Sequence, residues 1–520
     1  MKFWRNGFWQ KAVTMICVLI EFSLVIAVVY FLTAGSLNGS AALYFVVALF
    51  LIDLGIGVFI VNSSAEEEYK TAWLFFLVAV PVIGALFYLM FAHKLRTKKQ
   101  KAYLHRYYSV LRVESSREET LRKLKAYDED SYRISRFIEH GSEGDCYLNS
   151  AVTYFPLGDD AFPEMKRQLE KARHYIYIEF FIIKPGKMWD EILEILVRKA
   201  KSGLDVRVVY DDVGNLGATP VGYDKKLCEM GIKARVFRKI KPLLDIRMNN
   251  RDHRKIVVID GHTAFTGGIN LADEYINAEE RFGHWKDSAI MVRGKAVHGY
   301  VLLFFALWKS EFAPGEAIDY EYYRSERFID EAGGFPVSDG FVQPYGELPY
   351  SDTAVGVGVY QAILARAKDY VYISTPYLVL NARLRDSIRL AAESGVDVRL
   401  LTPGIPDKKA VYELTRSEYG PLLKAGVKIY EYTPGFVHQK MFVSDDKWAT
   451  EGTINLDYRS LYLHLENGTF IVGSRAVRDM KSDFLSTIAK SRQVTSEEYR
   501  KMKAKKKFLW VLLRLVAPLL

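Results

Sequence analysis

The sequence predicts an α/β protein of two duplicated lobes in a pseudo-twofold relation, preceded by N-terminal transmembrane helices. Three observations support this class: long apolar runs confined to the first ninety or so residues, helical patterns alternating with β-branched runs beyond about residue 145, and matching segments in the two halves of that region. With 520 residues, 50% of them hydrophobic, the chain can form two or three packed cores. A disordered or fibrous protein is therefore excluded.

The first 92 residues contain three apolar runs, at about 12–32, 41–61 and 72–92. Each approaches the roughly 20 residues that a membrane-spanning helix needs. The first run is long for a secretory signal and contains Glu21, so we interpret it as an uncleaved span. Glu21 and Asp53 could face neighbouring helices or serve transport, and the sequence leaves both open.

Basic residues beside these runs predict the orientation of the anchor. Six follow the third run and four lie on the opposite side, namely Lys94, Arg96, Lys98, Lys99, Lys101 and Arg106 against Lys2, Arg5, Lys11 and Lys70. Because cytoplasmic flanks carry the excess of Lys and Arg, the lobes are predicted to lie in the cytoplasm.

The charge of the whole chain favours an anionic partner. There are 71 basic and 62 acidic residues, a formal charge of +9, which suits nucleic acid or an acidic lipid surface. The apolar runs favour the lipid, and no nucleic-acid partner is expected. A charged connector at 93–145 precedes the lobes, and a basic amphipathic tail at 501–520 could lie on an anionic bilayer or pack against them. Three scattered cysteines are too few for a disulfide framework or a cysteine-based metal site.

The two lobes, 146–330 and 331–500, are predicted to be copies of one another. Segment 171–178 (KARHYIYI) matches 366–373 (RAKDYVYI), and 200–207 (AKSGLDVR) matches 392–399 (AESGVDVR), in the same order. A Pro/Gly-rich stretch at about 313–350 separates them. Such an internal duplication places equivalent residue types on both sides of one seam.

A pair of matched motifs provides the candidate site residues. The first lobe has His253, Lys255, Asp260 and Asn270, and the second has His438, Lys440, Asp445 and Asn455, at identical spacings. A His and a Lys two apart on a strand point to the same face, because side chains alternate along a strand. Taken singly, a His-x-Lys is weak and Asp260-Gly261 reads as a turn; two copies at matched spacing make coincidence a poor explanation.

These residue types suit exchange at a phosphodiester. One imidazole can attack phosphorus while the other, starting protonated, donates a proton to the departing alcohol. The two ammonium groups and the two Asn amides would hold the non-bridging oxygens. An acid further along each lobe could orient the histidine of that lobe, Asp287 in the first and Glu466 in the second. No nucleotide-binding loop or metal-ligand spacing occurs, so neither a cofactor nor a metal is expected.

The paired motifs resemble those of the phospholipase D superfamily, and the surrounding sequence resembles the bacterial cardiolipin synthases. The similar segments are 210–214 (YDDVG), 252–255 (DHRK), 375–377 (TPY), 430–435 (YEYTPG) and 455–461 (NLDYRSL). The resemblance implies two phospholipase-D-like α/β lobes with the catalytic residues His253, Lys255, Asp260, His438, Lys440 and Asp445. It also implies a bacterial cell-membrane enzyme that condenses two phosphatidylglycerols into cardiolipin, with release of glycerol. His253 is assigned by resemblance as the nucleophile and His438 as the acid and then the base.

Two alternatives remain. One is a hydrolase of the same superfamily that acts on phospholipids or other phosphodiesters; the other is a membrane scaffold or transporter with a vestigial site. Intact His and Lys pairs disfavour the second, and three apolar runs with a basic tail disfavour a soluble nuclease. Residues 378–381 (LVLN) depart from the family pattern, which leaves the acceptor lipid open. The phosphatidyl donor and the oligomeric state also stay open.

Overall fold

The structure is a computed structural model. It describes residues 39–63, 65–89, 114–142, 144–240, 249–313, 316–319, 322–323, 325–349, 351, 353–502 and 504–519. The chain divides into two compact units, one of residues 1–95, 240–249 and 511–520, and one of residues 96–239 and 250–510. Each is described by itself.

The first unit contains the helices Gly39–Val61, Glu67–Ala79 and Ile83–Phe87. The apolar run at 41–61 falls in the first of these, whereas the run at 72–92 covers parts of two shorter helices separated at Pro81. Proline cannot continue the hydrogen-bond ladder of a helix, and the Asp53 carboxylate accepts from the backbone N–H of Val82 in the resulting turn. Across the ranges described above, no helix has both the length and the hydropathy needed to cross a bilayer. The run at 12–32, with Glu21, lies outside the described residues.

The second unit begins with two connector helices and continues into two sheets. The helices of this unit and the C-terminal helix are Glu114–Tyr127, Glu129–Ser142, Gly158–Lys171, Lys187–Lys201, Tyr223–Glu229, Val297–Leu307, Ser325–Ile329, Val355–Leu364, Ala382–Glu393, Lys409–Lys424, Tyr458–Tyr462, Arg475–Ile488, Ser496–Arg500 and Ala504–Val516. Short 3₁₀ turns occur at Asp273–Ile276 and Ala517–Leu519, and a π-helical turn at Trp308–Phe312.

The first lobe is a seven-stranded mixed sheet. Its strands are β1 (Ser150–Phe155), β2 (Tyr175–Phe180), β3 (Asp205–Asp211), β4 (Lys233–Phe237), β5 (Lys255–Ile259), β6 (Thr263–Gly267) and β8 (Ala289–Gly294), with β7 (His284–Lys286) outside it. The order in the sheet is β1-β8-β6-β5-β2-β3-β4. β2, β3 and β4 run parallel, and β5 is antiparallel to β2.

The second lobe repeats this arrangement in an eight-stranded sheet. Its strands are β9 (Phe341–Glu347), β10 (Tyr370–Ser374), β11 (Asp397–Pro403), β12 (Lys428–Tyr432), β14 (Met441–Ser444), β15 (Trp448–Gly452), β16 (Glu466–Val472) and β17 (Ser491–Val494), with β13 (Gly435–Val437) outside it. The order is β17-β12-β11-β10-β14-β15-β16-β9. The core β10-β14-β15-β16 mirrors β2-β5-β6-β8, so the predicted α/β duplication is confirmed.

Burial explains why the strands are continuous apolar runs rather than alternating ones. Every residue of β2 is buried, because helices such as Lys187–Lys201 cover one face and the helix Val297–Leu307 packs against the other. The helix Val297–Leu307 is apolar on all sides and lies in a core shared by both sheets, together with Val258 of the first and Val443 of the second. The two lobes are therefore joined through a common core.

Two short parallel pairings link the lobes close to the predicted motifs. β13 pairs with β7, with Val437 opposite Lys286. Asp252 forms an isolated parallel bridge with Leu465. Each pairing ends one residue before a motif histidine, and this position determines the geometry of the site.

Candidate active site

The structure brings His253 and His438 to the seam between the lobes. His253 lies two residues before β5, and its backbone N–H donates to Leu465 O at 2.9 Å. His438 follows β13, and its backbone N–H donates to Lys286 O at 2.8 Å. Both side chains are almost fully buried. Each histidine is thus held by the backbone of the opposite lobe.

The acids that orient the histidines are also supplied by the opposite lobe. His253 Nδ1 lies 2.9 Å from Glu466 Oε2, and His438 Nδ1 lies 2.7 Å from Asp287 Oδ2. The expectation that each acid orients the histidine of its own lobe is therefore wrong, although both acids are the expected ones. The cause is the cross-lobe pairing. Asp252, which precedes His253, is paired with Leu465, which precedes Glu466. Val437, which precedes His438, is paired with Lys286, which precedes Asp287. In both rings Nε2 is left as the nitrogen available to a substrate.

The two carboxylates are held in their ionised form. Burial alone would raise the pKa of Glu466, but His253 and His464 beside it bring that pKa well below its usual range. Glu466 also accepts hydrogen bonds from the hydroxyls of Thr453 and Ser460. Burial would likewise raise the pKa of Asp287, but Lys440 and His438 outweigh it, so the pKa lies below its usual value.

Both histidines are neutral at pH 7 in the free protein. Burial lowers the pKa of His253 to about 3 and that of His438 to about 4, against the opposing pull of the acids. Each Nδ1–H therefore donates to its acid and leaves a lone pair on Nε2. A bound phosphodiester anion would raise the pKa of a neighbouring imidazole, so protonation would accompany substrate entry.

The two lysines lie beneath the histidines. Lys255 Nζ donates to His253 O at 2.7 Å, and Lys440 Nζ makes the same bond to His438 O. Burial lowers the pKa of Lys255 to about 7 and that of Lys440 to about 8, while Glu466 and Asp287 act in the opposite direction. An incoming phosphate would favour the charged form of both ammonium groups.

Asp260 and Asp445 lie at the far ends of their strands, outside this constellation. Lys255 and Asp260 are separated by five strand residues, about 16 Å at roughly 3.3 Å each. The Asp260 carboxylate accepts from the backbone N–H groups of three residues at the start of β2, at 2.7–2.8 Å. Asp445 does the same at the start of β10. Both residues adopt positive φ, 48° and 54°, so the local role is that of a turn that fastens two strands together.

The two asparagines are not equivalent. Asn270 Nδ2 donates to the Tyr275 hydroxyl at 2.7 Å, and its Oδ1 accepts from Ile182 N at 3.1 Å, so its amide is engaged within the first lobe. It positions Tyr275, whose ring centroid is 5.5 Å from that of His438. In the part of the chain that the structure describes, Asn455 Oδ1 is buried without a hydrogen-bond partner. The expected role, donation to a non-bridging oxygen, belongs to the Nδ2 groups, and that of Asn270 already donates to Tyr275.

Sequence reasoning missed His464 and a wall of aromatic rings. The sequence analysis assigns no role to His464, but its ring centroid is 5.7 Å from that of His253 and its Nδ1 is 3.7 Å from Glu466 Oε1. Its position only two residues before Glu466 was the available signal. Rings of Phe181, Tyr275, Trp285 and Phe436 surround the two histidines.

One group in the site has the spacing of a metal-binding cluster. Ligand atoms of His253, His464 and Glu466 all lie within 4.8 Å of one another. Two imidazoles and a carboxylate suit a borderline cation such as Zn²⁺. Binding there would replace the hydrogen bond between His253 and Glu466.

Comparison with known proteins places this geometry in a family. Residues 165–292 and 360–488 each match the family described as cardiolipin synthase, PLD-like domain, and residues 42–92 match the phospholipase D-nuclease N-terminal family. A cardiolipin synthase of Halalkalibacterium halodurans is 32% identical over 96% of this chain and 98% of its own length. The chain belongs to the cardiolipin synthase family. The predicted membership is thereby confirmed.

Other relatives of this cardiolipin synthase family member extend the comparison. Cardiolipin synthase 2 of Bacillus cereus is 32% identical over 92% of this chain and 91% of that protein. An uncharacterized protein of Streptococcus mutans is 42% identical over 90% of this chain and all of its own length. The crystal structure of phosphatidylserine synthase from Haemophilus influenzae, at 15% identity, superposes with a TM-score of 0.53 over 75% of this chain and 98% of that one, a likeness of fold alone.

Proposed function

We propose that this protein is a cardiolipin synthase, which transfers a phosphatidyl group from one phosphatidylglycerol to another and releases glycerol. The observation that carries the proposal is the pair of crossed histidine–acid contacts at one seam, at 2.9 and 2.7 Å, with a buried lysine beside each. The names of the relatives support the choice of lipid substrate.

In the first step, His253 Nε2 attacks phosphorus and the bond from phosphorus to the terminal glycerol oxygen breaks. His438, protonated as the phosphate anion enters, gives its proton to that oxygen, and glycerol leaves. The phosphatidyl group remains on His253 through a P–N bond. The ammonium groups of Lys255 and Lys440, together with the Nδ2 donor of Asn455, would stabilise the charge on the non-bridging oxygens.

In the second step, a hydroxyl of the second phosphatidylglycerol takes the place of the departed glycerol. His438, now neutral, accepts the hydroxyl proton while the oxygen attacks phosphorus and the P–N bond breaks. One phosphodiester replaces another, so no external energy source is required. The aromatic rings around the histidines favour a lipid alcohol over water, and water in its place would make the protein a hydrolase.

We place the protein in the bacterial cell membrane as a multi-pass protein with cytoplasmic lobes. The support is the apolar runs, the charge bias beside them and the match of 42–92 to an N-terminal family. The C-terminal helix Ala504–Val516 adds exposed apolar side chains, among them Phe508 and Leu509, to a basic sequence. Such a helix suits an anionic bilayer.

The test is incubation of the purified full-length protein with phosphatidylglycerol alone. Cardiolipin and glycerol in equal amounts are expected, and a His438→Asn protein purified in the same way should form neither. Phosphatidic acid as the sole lipid product would replace this proposal with a phospholipase D-type hydrolase.

A further inference from the structure

A cavity lies on the first lobe, at the end of β5 remote from the histidines. It has a volume of about 870 Å³ and is lined by the end of the helix Gly158–Lys171, the turn after β5 at Asp260, the residues just before β2, the end of β8, and residues 328, 329 and 331–336. Its size falls within the roughly 300–1,000 Å³ typical of small-ligand pockets. The proposed lipid chemistry does not use it.

The cavity has an excess of positive charge. Five permanently cationic side chains and three carboxylates line it, namely Arg167, Lys171, Arg173, Lys199 and Arg293 against Glu170, Asp260 and Glu331. The carboxylates are engaged: Asp260 by backbone N–H groups, Glu331 by His174 at 2.6 Å, and Glu170 by Arg198 at 2.6 Å.

Three of the cations are not in a close ion pair in the part of the chain that the structure describes. Within the described ranges, Lys171, Arg173 and Arg293 form no ion pair with a carboxylate, and Lys199 Nζ donates only to the backbone carbonyls of residues 170 and 172. Cations gathered around a concave surface raise the local concentration of anions.

The internal duplication shows what occupies the equivalent surface in the second lobe. The strand registers and the repeat equate Lys171, His262, Thr263 and Gly294 with Arg366, Lys447, Trp448 and Gly473. All four of the first-lobe residues line the cavity. Their second-lobe counterparts are covered by the connector segment 127–131.

That segment contacts the second lobe through carboxylates. Asp128 Oδ1 lies 3.0 Å from Lys447 Nζ, and Asp130 Oδ1 lies 3.2 Å from Arg366 Nε. Trp448 Nε1 donates to Ser131 Oγ at 2.7 Å. The fold therefore already uses this surface once to hold anionic oxygens.

The first lobe carries more charge at this surface than the second. Lys199 and Arg293 stand where the second lobe has the buried apolar residues Ala391 and Val472. A phosphate, with up to two charges and several acceptor oxygens on one atom, matches this denser set of cations better than a carboxylate. Of the apolar members, Phe328 and Ile329 are buried in the lobe and Phe335 is exposed, so the charged groups predominate in the lining but one apolar ring is accessible.

We propose that this cavity binds a small water-soluble phosphate ester, with its phosphate held by Lys171, Arg173 and Arg293. The phosphate occupies the place that Asp128 and Asp130 take in the second lobe. The site lies at the opposite end of β5 from His253, so a ligand there does not compete directly with the lipid substrates.

The test compares phosphate binding by three full-length proteins in detergent: the unchanged protein, Arg173→Gln/Arg293→Gln, and the matched control Lys368→Gln, the second-lobe counterpart of the first change. Isothermal titration calorimetry with glycerol 3-phosphate and with inorganic pyrophosphate supplies the affinities. Any binding at the histidine pair is common to all three proteins and cancels. We expect the double variant to bind at least tenfold more weakly, with cardiolipin formation and melting temperature unchanged.

Three outcomes would overturn the proposal. Equal affinity in all three proteins would assign phosphate binding elsewhere, and no measurable binding to the unchanged protein would leave the cavity without this ligand. The same titration is made with phosphatidic acid vesicles. If the double variant binds these vesicles more weakly but binds the soluble phosphates as the unchanged protein does, the site is assigned to lipid headgroups. Because cardiolipin formation is measured separately, failure here is distinct from failure of the proposed function.

Discussion

Glu451 is a buried carboxyl group that should lower the stability of the second lobe as the pH rises from about 5 to about 8. It lies on β15, fully buried, with Oε1 accepting from Ser288 Oγ at 2.7 Å; in the described structure Oε2 has no partner. Burial, supported by the nearby charge of Asp287, raises its pKa from 4.5 to about 8, while Lys440 and Lys286 oppose the shift. Its first-lobe counterpart is the neutral Thr266.

The magnitude of the effect follows from linkage between protonation and folding. Between pH 4.5 and 8 the folded protein holds a proton that the unfolded chain releases, so stability falls as pH rises. At about 1.4 kcal/mol per pH unit, the cost relative to a neutral side chain is about 3 kcal/mol at pH 7, as an upper bound. Glu451→Gln removes the charge and keeps an acceptor for Ser288, so it should stabilise the protein increasingly from pH 5 to pH 8 and by a constant amount above that.

The assay is the melting temperature of both proteins in detergent from pH 5 to pH 9. For a unit of lobe size, about 2–4 °C per kcal/mol predicts a rise of roughly 6–12 °C at pH 7, with little difference at pH 5. Glu194→Gln, the same change on an exposed helix surface, should show no pH-dependent difference. A Glu451→Gln protein that melts at the same or a lower temperature than its parent at pH 8 would refute the assignment of a neutral buried acid.

Three other predictions concern the site itself. His253→Asn or His438→Asn should lower kcat by several orders of magnitude, and the double variant should be little worse because the pair acts as a unit; mass spectrometry of trapped enzyme should find the phosphatidyl group on His253. Glu466→Gln should lower kcat by about 10²-fold or more, because the amide can present the wrong hydrogen-bonding group to His253 Nδ1. Activity in detergent, measured as cardiolipin formed per minute, should be unchanged by EDTA, because the lysines stabilise the phosphate charge. Added Zn²⁺ should inhibit the same activity by binding to His464, His253 and Glu466.

The histidine variants have a matched control, and each of the three predictions has a result that would contradict it. His140→Asn, an exposed histidine remote in sequence from the motifs, should leave kcat unchanged. An adduct on His438 would exchange the roles of the two histidines, and near-native activity in either single variant would contradict the two-histidine mechanism. A Glu466→Gln protein with normal kcat would show that the crossed contact is structural only. Activity abolished by EDTA and restored by one divalent ion would contradict the lysine-based account.

The sequence predicted those features that depend on local periodicity. His253 and Lys255 share a face because alternation along an extended chain is a local property, and the duplication reveals their partners. The exchange of Glu466 and Asp287 between lobes depends on which strands meet across the seam, which spacing along the chain does not contain. The lowered pKa of Lys255 likewise depends on burial by distant residues.

Asp260 illustrates the opposite difficulty. The family resemblance implied a place for it among the catalytic residues, whereas the simplest interpretation of the sequence, an Asp-Gly turn, matches the structure. A constant spacing can therefore result from the length of a strand as readily as from chemistry at one point. His464 was missed because it has no counterpart in the first lobe, where Trp285 stands.

The exchange of acids between lobes has a consequence for how such a protein could arise. A single lobe would possess a histidine without its acid and an acid without its histidine, so an ancestor with one lobe would be active only as a symmetric homodimer. Joining two copies in one chain makes that association independent of concentration. It also allows the two halves to differ in sequence. Two equivalent positions around the shared site already differ: Thr266 corresponds to Glu451, and Trp285 corresponds to His464.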